Sequence, residues 1–131
     1  MNGSKINIVI DTNVIFMALY DPTSKAGKVI NAAIENKIEL YTTDTVQEEI
    51  RRVLKREIRL QDEEIEEKIR NLPILWIKKE IYAEFINKTK VKHKADKPLE
   101  ALSILLNCGI LSADHHFKNR LDINKFLEKI E

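Results

Sequence analysis

The stretch INIVIDTNVIFMAL, residues 6–19, changes character at a single residue. Ile6 to Ile10 is rich in β-branched side chains and apolar at successive positions, so it reads as a strand buried on both faces. Asp11 stops it. Asp11, Thr12 and Asn13 are all residues that favour the start of a helix, and Val14 to Leu19 then supply its apolar body up to Tyr20. A doubly buried strand that runs through an acid into a helix is the opening of an α/β unit, and it leaves the acid at the carboxyl end of the strand.

The same alternation continues outward. Asp21-Pro22 breaks the first helix. A second is expected from about Ser24 to Asn36, with Val29, Ile30, Ala33 and Ile34 inward. Glu39 to Tyr41 is a brief strand, and Thr42 to Thr45 a turn and cap. Thr45 and Glu48 have capping-box spacing, which predicts a helix to about Glu57. Asp62 to Asn71 is a charged helix with a thin apolar face of Ile65 and Ile69. Ile74 to Ile77 is a third strand, and Trp76 is expected to pack within it. Glu80 to Lys88 is helical, with Ile81, Phe85 and Ile86 inward.

After the basic loop 88–97, Pro98 sits in a favoured first-turn position and Leu99 to Cys108 forms a buried helix stopped by Gly109. Ile110 to Ala113 is a strand that again ends at an aspartate, Asp114. A helical turn is expected around His115 to Lys118, an edge strand at Leu121 to Ile123, and a last helix capped by Asn124. Short apolar strands alternating with helices predict a three-layer α/β/α architecture, its central sheet short and mainly parallel, in a single domain spanning residues 1–131.

Composition narrows the function classes. With 44% hydrophobic and 33% charged residues and few glycines and prolines, the 131-residue chain is not of a disordered type. Lys plus Arg is 22 against 21 for Asp plus Glu, a net charge of +1, so any nucleic-acid role must rest on local patches. The single cysteine, Cys108, has no internal disulfide partner and suggests a buried, reduced thiol. Residues Met1 to Lys5 are polar and carry no secretory signal, and no apolar run reaches membrane-spanning length. A cytoplasmic protein is expected. Neither GxGxxG nor GxxxxGKS occurs, which disfavours nucleotide-cofactor and P-loop readings.

The acids carry the chemistry. Asp11 and Asp114 both follow strands, and acids at strand carboxyl ends converge on one crevice. Asp96 precedes Pro98 at a helix start, where capping and a place in the crevice are compatible. The fourth acid is Glu48 or Glu49. Val46, Ile50, Val53 and Leu54 define an apolar stripe, and at roughly 100° per residue Glu49 lies about 60° from Val46, on its shoulder, whereas Glu48 lies opposite. Glu49 is therefore the inward candidate. Crowded carboxylates raise one another's pKa or recruit a divalent cation. Hard cations such as Mg²⁺ and Mn²⁺ take oxygen ligands, activate water and neutralise phosphodiester charge.

With these residues in place, the sequence resembles the PIN-domain family. IVIDTNVIFMAL is similar to its opening strand, Asp-Thr-Asn and helix. TTDTVQEEIRRVL resembles its second acidic segment, with Glu49 before Ile50. KADKPLEALSILLNCGILSADHHF resembles the third and fourth segments, through Asp96, Ser112 and Asp114 with Phe117 following. The likeness covers about residues 6–127. It implies Mg²⁺- or Mn²⁺-dependent endoribonuclease activity on RNA, with Asp11, Glu49, Asp96 and Asp114 as catalytic and metal-binding acids and Asn13 and Ser112 as polar helpers. It also implies a VapC-like toxin of a type II toxin–antitoxin pair, with a small antitoxin protein as partner, and a homodimer.

One departure stands out. Many members carry a further acid after the last Asp, where this chain has His115 and His116. That motivates another reading, a catalytically weak or inactive module that binds RNA or protein; a separate alternative, which shares the metal logic, is an acid-cluster phosphohydrolase. The latter lacks the second Asp of its usual nucleophile loop. Lys90, Lys92, Lys94 and Lys97, in the run that surrounds Asp96, are candidate RNA contacts. Arg51, Arg52, Lys55, Arg56 and Arg59 form a second basic stretch, suited equally to solubility or to an acidic partner segment.

Overall fold

A computed structural model describes residues 5–130, and the polar N-terminus 1–4 lies outside the described residues. Five strands form one parallel sheet: β1 (Ile6–Ile10), β2 (Ile38–Thr43), β3 (Ile74–Ile77), β4 (Ile110–Leu111) and β5 (Arg120–Leu121), in the order β3-β2-β1-β4-β5. Ile8, Val9 and Ile10 are all buried, as a central strand covered on both faces requires. The helices are α1 (Thr12–Tyr20), α2 (Lys25–Ile34), α3 (Asp44–Val53), α4 (Asp62–Arg70), α5 (Lys79–Tyr82), α6 (Lys97–Leu106) and α7 (Ile123–Ile130). α2 packs on α1 and α7; α6 packs on α5 and the 3₁₀ segment Ala83–Lys88 that follows it. The result is the three-layer α/β/α arrangement.

From β1 the chain winds outward through β2 to β3, then returns to place β4 on the other side of β1. The order therefore reverses between β1 and β4, and ligands of open α/β sheets bind at the carboxyl ends flanking such a point. Register sets what lies there. Val9 pairs with Ile110 and Ile10 with Leu111, so Asp11 and Ser112 emerge side by side.

Several boundaries differ from the sequence expectation. β4 stops at Leu111, because its outer neighbour β5 pairs with it at only two positions. Ser112, not Asp114, is thus the strand-end partner of Asp11. Thr43 rather than Thr45 caps α3, its hydroxyl accepting from Val46 N at 3.2 Å. Asp44 then accepts the Tyr82 hydroxyl at 2.6 Å and Lys79 N at 3.2 Å. That tie turns Tyr82 fully inward and leaves Ile81 exposed. Ile34 likewise faces out, beside the end of α2. Leu54–Ile58 forms a π-helical turn that closes α3.

α6 ends at Asn107, which takes the left-handed conformation (φ 52°) expected of a glycine. Gly109 serves close packing instead: a Cβ there would meet Leu121 Cγ at 2.7 Å. Residues 115–117 form no helical turn. Asp122, not Asn124, accepts the first N–H groups of α7, from Asn124 at 2.9 Å and Lys125 at 3.2 Å. Trp76 is half-buried against the core, and so is the free thiol of Cys108. Among the described residues no helix is long and apolar enough to cross a membrane.

Candidate active site

Asp11 is the anchor. It is the N-cap of α1, its Oδ1 accepting Thr12 N at 2.7 Å, and the residue is 9% exposed. Its Oδ2 accepts the Ser112 hydroxyl at 2.7 Å. That hydroxyl oxygen in turn accepts Asp114 N at 3.0 Å and makes a longer contact with Asn13 Nδ2 at 3.4 Å. A hydroxyl has one proton, and two N–H donors already face its oxygen, so the proton is committed to Asp11. Asn13 Oδ1 accepts Ala113 N at 3.1 Å, and Asn13 Nδ2 lies 3.5 Å from Asp114 Oδ2. Arg120 Nε donates to the Ser112 carbonyl at 2.8 Å, tying the end of β4 to β5. The two polar helpers of the sequence reading thus link β1 to the segment after β4.

Burial pushes the Asp11 carboxyl up from its ordinary value. The Ser112 and Thr12 hydrogen bonds oppose that shift, while the negative charges of Asp114 and Asp96 add to it. Both acids therefore lie close enough to act on Asp11 electrostatically. Asp11, Glu49 and Asp96 line one cleft of about 330 Å³ together with Thr45, Arg52 and Lys94. Asp114 stands apart from this lining, exposed on the bend that follows Ser112.

The alternative roles weighed from sequence separate in the structure. Asp96 occupies the N-cap position of α6 but makes no side-chain capping bond; its Oδ2 lies 3.5 Å from His116 Nδ1. The His116 ring packs against that of His93, centroids 4.9 Å apart. Glu48 pairs with Arg51, whereas Glu49 lines the cleft. Of the candidate RNA-contacting lysines, Lys94 lines the cleft. Lys90 and Lys92 sit on the loop before it, and Lys97 opens α6. Glu100 anchors that loop by accepting Lys90 N at 3.0 Å and Val91 N at 3.0 Å. Glu100 does not stand out in the sequence, and Arg52 is marked there only as one of the second basic stretch, not as a cleft residue.

A divalent cation is compatible with this donor set, which is all carboxylate and hydroxyl oxygen, and a buried carboxylate facing like charges gains from positive charge nearby. Among the described residues, however, no three His, Cys, Asp or Glu side chains are already gathered closely enough to hold an ion.

Comparison with known proteins agrees with the architecture. The family model described as "PIN domain" matches residues 7–116. The chain belongs to the PIN-domain family. The uncharacterized protein MJ1680 of Methanocaldococcus jannaschii is 42% identical over 50 residues, covering 38% of this chain. The match spans about a third (32%) of that relative's length. Among solved structures, VapBC2 from Rickettsia felis, bound to a DNA fragment from its promoter, aligns with a TM-score of 0.60 at 14% identity. It covers 86% of this chain and 92% of that one. At that identity the likeness speaks for the PIN fold alone.

Proposed function

We propose that this PIN domain is an endoribonuclease dependent on Mg²⁺ or Mn²⁺, hydrolysing RNA phosphodiester bonds in the cleft of Asp11, Glu49 and Asp96. The observation that carries this reading is the buried Asp11 carboxylate at the sheet's switch point, sharing one cleft with two further acids. PIN domains are generally nucleases, which supports the same class of reaction. Asp11, Asp96, Glu49 and Asp114 would hold the cation, directly or through water. A bound cation would supply charge neutralisation at the phosphate and activation of the attacking water. The Ser112 hydroxyl and the Thr12 N–H keep the Asp11 carboxylate in one orientation, and Asn13 ties α1 to the segment after β4, so that little reorganisation accompanies binding. Lys94 brings positive charge to the cleft wall. By analogy with the VapBC2 neighbour we extend the proposal to the toxin of a toxin–antitoxin pair, with a small antitoxin as partner, and to a homodimer.

The test pairs cleavage with melting. Wild-type protein with Mn²⁺ should cut single-stranded RNA, and Asp11→Asn should lose activity by at least two orders of magnitude. Mn²⁺ should raise the melting temperature of the wild type and not of the variant; a free concentration of 100 Kd corresponds to about 2.7 kcal/mol. Equal cleavage by both proteins would sink the assignment.

One observation favours a second reading, a binding module without catalysis: histidines follow Asp114 where many PIN domains carry a further acid. RNA binding without cleavage in Mn²⁺ would select it.

A further inference from the structure

The second basic stretch, Arg51 to Arg59, separates into two kinds of residue once folded. Arg51 is held by Glu48 and by Glu66, whose carboxylate accepts its Nε at 2.7 Å and an Nη at 3.0 Å. Lys55 pairs with Asp62 at 3.2 Å and Arg56 with Glu57 at 2.9 Å. These three are spent on fastening α3 and its π-helical turn to α4, or on a neighbour in sequence. Arg52 and Arg59 have no ion pair or side-chain hydrogen bond among the described residues. Arg59 ends the π-helical turn away from the cleft lining, whereas Arg52 lines the cleft that holds Asp11, Glu49 and Asp96. It is exposed on α3, three residues after Glu49 and so on the same side of that helix. Lys94 lines the cleft from the segment that carries Asp96, so the walls bring cations from two separate parts of the chain to a floor of acids.

We propose that Arg52 is the phosphate-gripping residue of this cleft, its guanidinium binding the non-bridging oxygens of a substrate phosphate beside the scissile bond. The inference deepens the nuclease reading and rests on it for the nature of the substrate, a single RNA strand. A planar guanidinium can give two parallel N–H bonds to a phosphate, which a lysine cannot reproduce. The free cation also answers an electrostatic need. An anionic strand must approach three carboxylates, and each positive charge on the walls lowers that barrier.

The experiment separates gripping from cutting. RNA binding is measured by fluorescence anisotropy with a labelled single-stranded oligonucleotide, in the Asp11→Asn background so that cleavage cannot interfere. Arg52→Ala should weaken binding about tenfold and reduce the slope of log affinity against log salt by about 0.7, one phosphate contact on a single strand. Arg52→Lys should keep the slope and recover only part of the affinity. Arg52→Gln, which keeps the stem, should behave as Arg52→Ala with the melting temperature unchanged. Arg51→Ala is the contrast: it should lower the melting temperature by freeing Glu66 and leave the salt slope as it was. In the cleavage-competent background Arg52→Ala should raise KM more than it lowers kcat. Unchanged affinity and slope in a folded Arg52→Ala protein would overturn the assignment, as would a parent protein that binds no RNA. RNA binding that depends on Arg52 in a wild type that never cuts would uphold the grip and remove the nuclease reading.

Discussion

Asp11 is stabilised in place and destabilised in charge. Two donors hold its oxygens, yet burial and the charges of Asp114 and Asp96 push its carboxyl upward. A folded pKa raised above the unfolded one means that stability is fully present below the unfolded value, near 3.8, and is lost as pH rises through the folded value. Metal-free Asp11→Asn should therefore melt above the wild type at pH 7, and the gap should close as pH falls below about 4. A gap that widens in acid would contradict the burial argument. Thr42 illustrates the same penalty without a charge. It is fully buried in β2 and its hydroxyl has no partner among the described residues. Thr42→Val keeps the shape and removes the orphan, so chemical denaturation should report a gain of about 1 kcal/mol. At this scale the sequence was informative where a residue type is rare in its setting. An acid ending an apolar strand marks Asp11, and a helical wheel separates Glu49 from Glu48. The wheel does not reveal Arg52, because its meaning depends on which neighbours are neutralised, and Glu66 and Asp62 come from another helix.

Among the elements, α2 shows how a contact dictates a residue. Ser24 caps it, accepting Gly27 N at 3.1 Å, and a Cβ on Gly27 would lie 2.0 Å from the Pro22 carbonyl oxygen. Backbone cannot yield as a flexible side chain does. Gly27→Ala should cost on the order of 1–3 kcal/mol despite the better helix propensity of alanine, which a denaturant titration would measure. An unchanged midpoint would show that the turn 21–24 gives way. The strands and most helices were legible because hydrophobic period reports burial directly. Caps and ends were not. Thr43 and Thr45 are equivalent as sequence, and the choice falls to the register that carries β2 to Thr43. Gly109 looks like a helix stop, but Asn107 makes the left-handed turn and frees the glycine for contact with Leu121.

For the molecule as a whole, a net charge of +1 conceals a local arrangement of acid floor and cationic walls, which is why composition was silent on RNA. The parallel architecture followed from alternation alone, whereas the switch point needed the strand order, which no local pattern encodes. The proposed homodimer belongs to this scale. α1 exposes Met17 (45%) and Tyr20 (67%), three residues apart on one side, with Phe16 stacked on Tyr20. Sedimentation equilibrium should give twice the chain mass, and Met17→Glu should shift it toward one. A wild type that sediments as a single chain would end that expectation.

Ser112 reaches Asp11 across 101 residues of sequence. Because β4 must dock beside β1 before that bond can form, a chain still emerging from the ribosome carries Asp11 through the next 101 residues without the strand that completes its surroundings. Translation proceeds at roughly 5–20 residues per second, so several seconds pass between the two halves. Until then the Asp11 carboxylate lacks the hydroxyl that orients it, and the site is assembled only after Ser112 has left the ribosome.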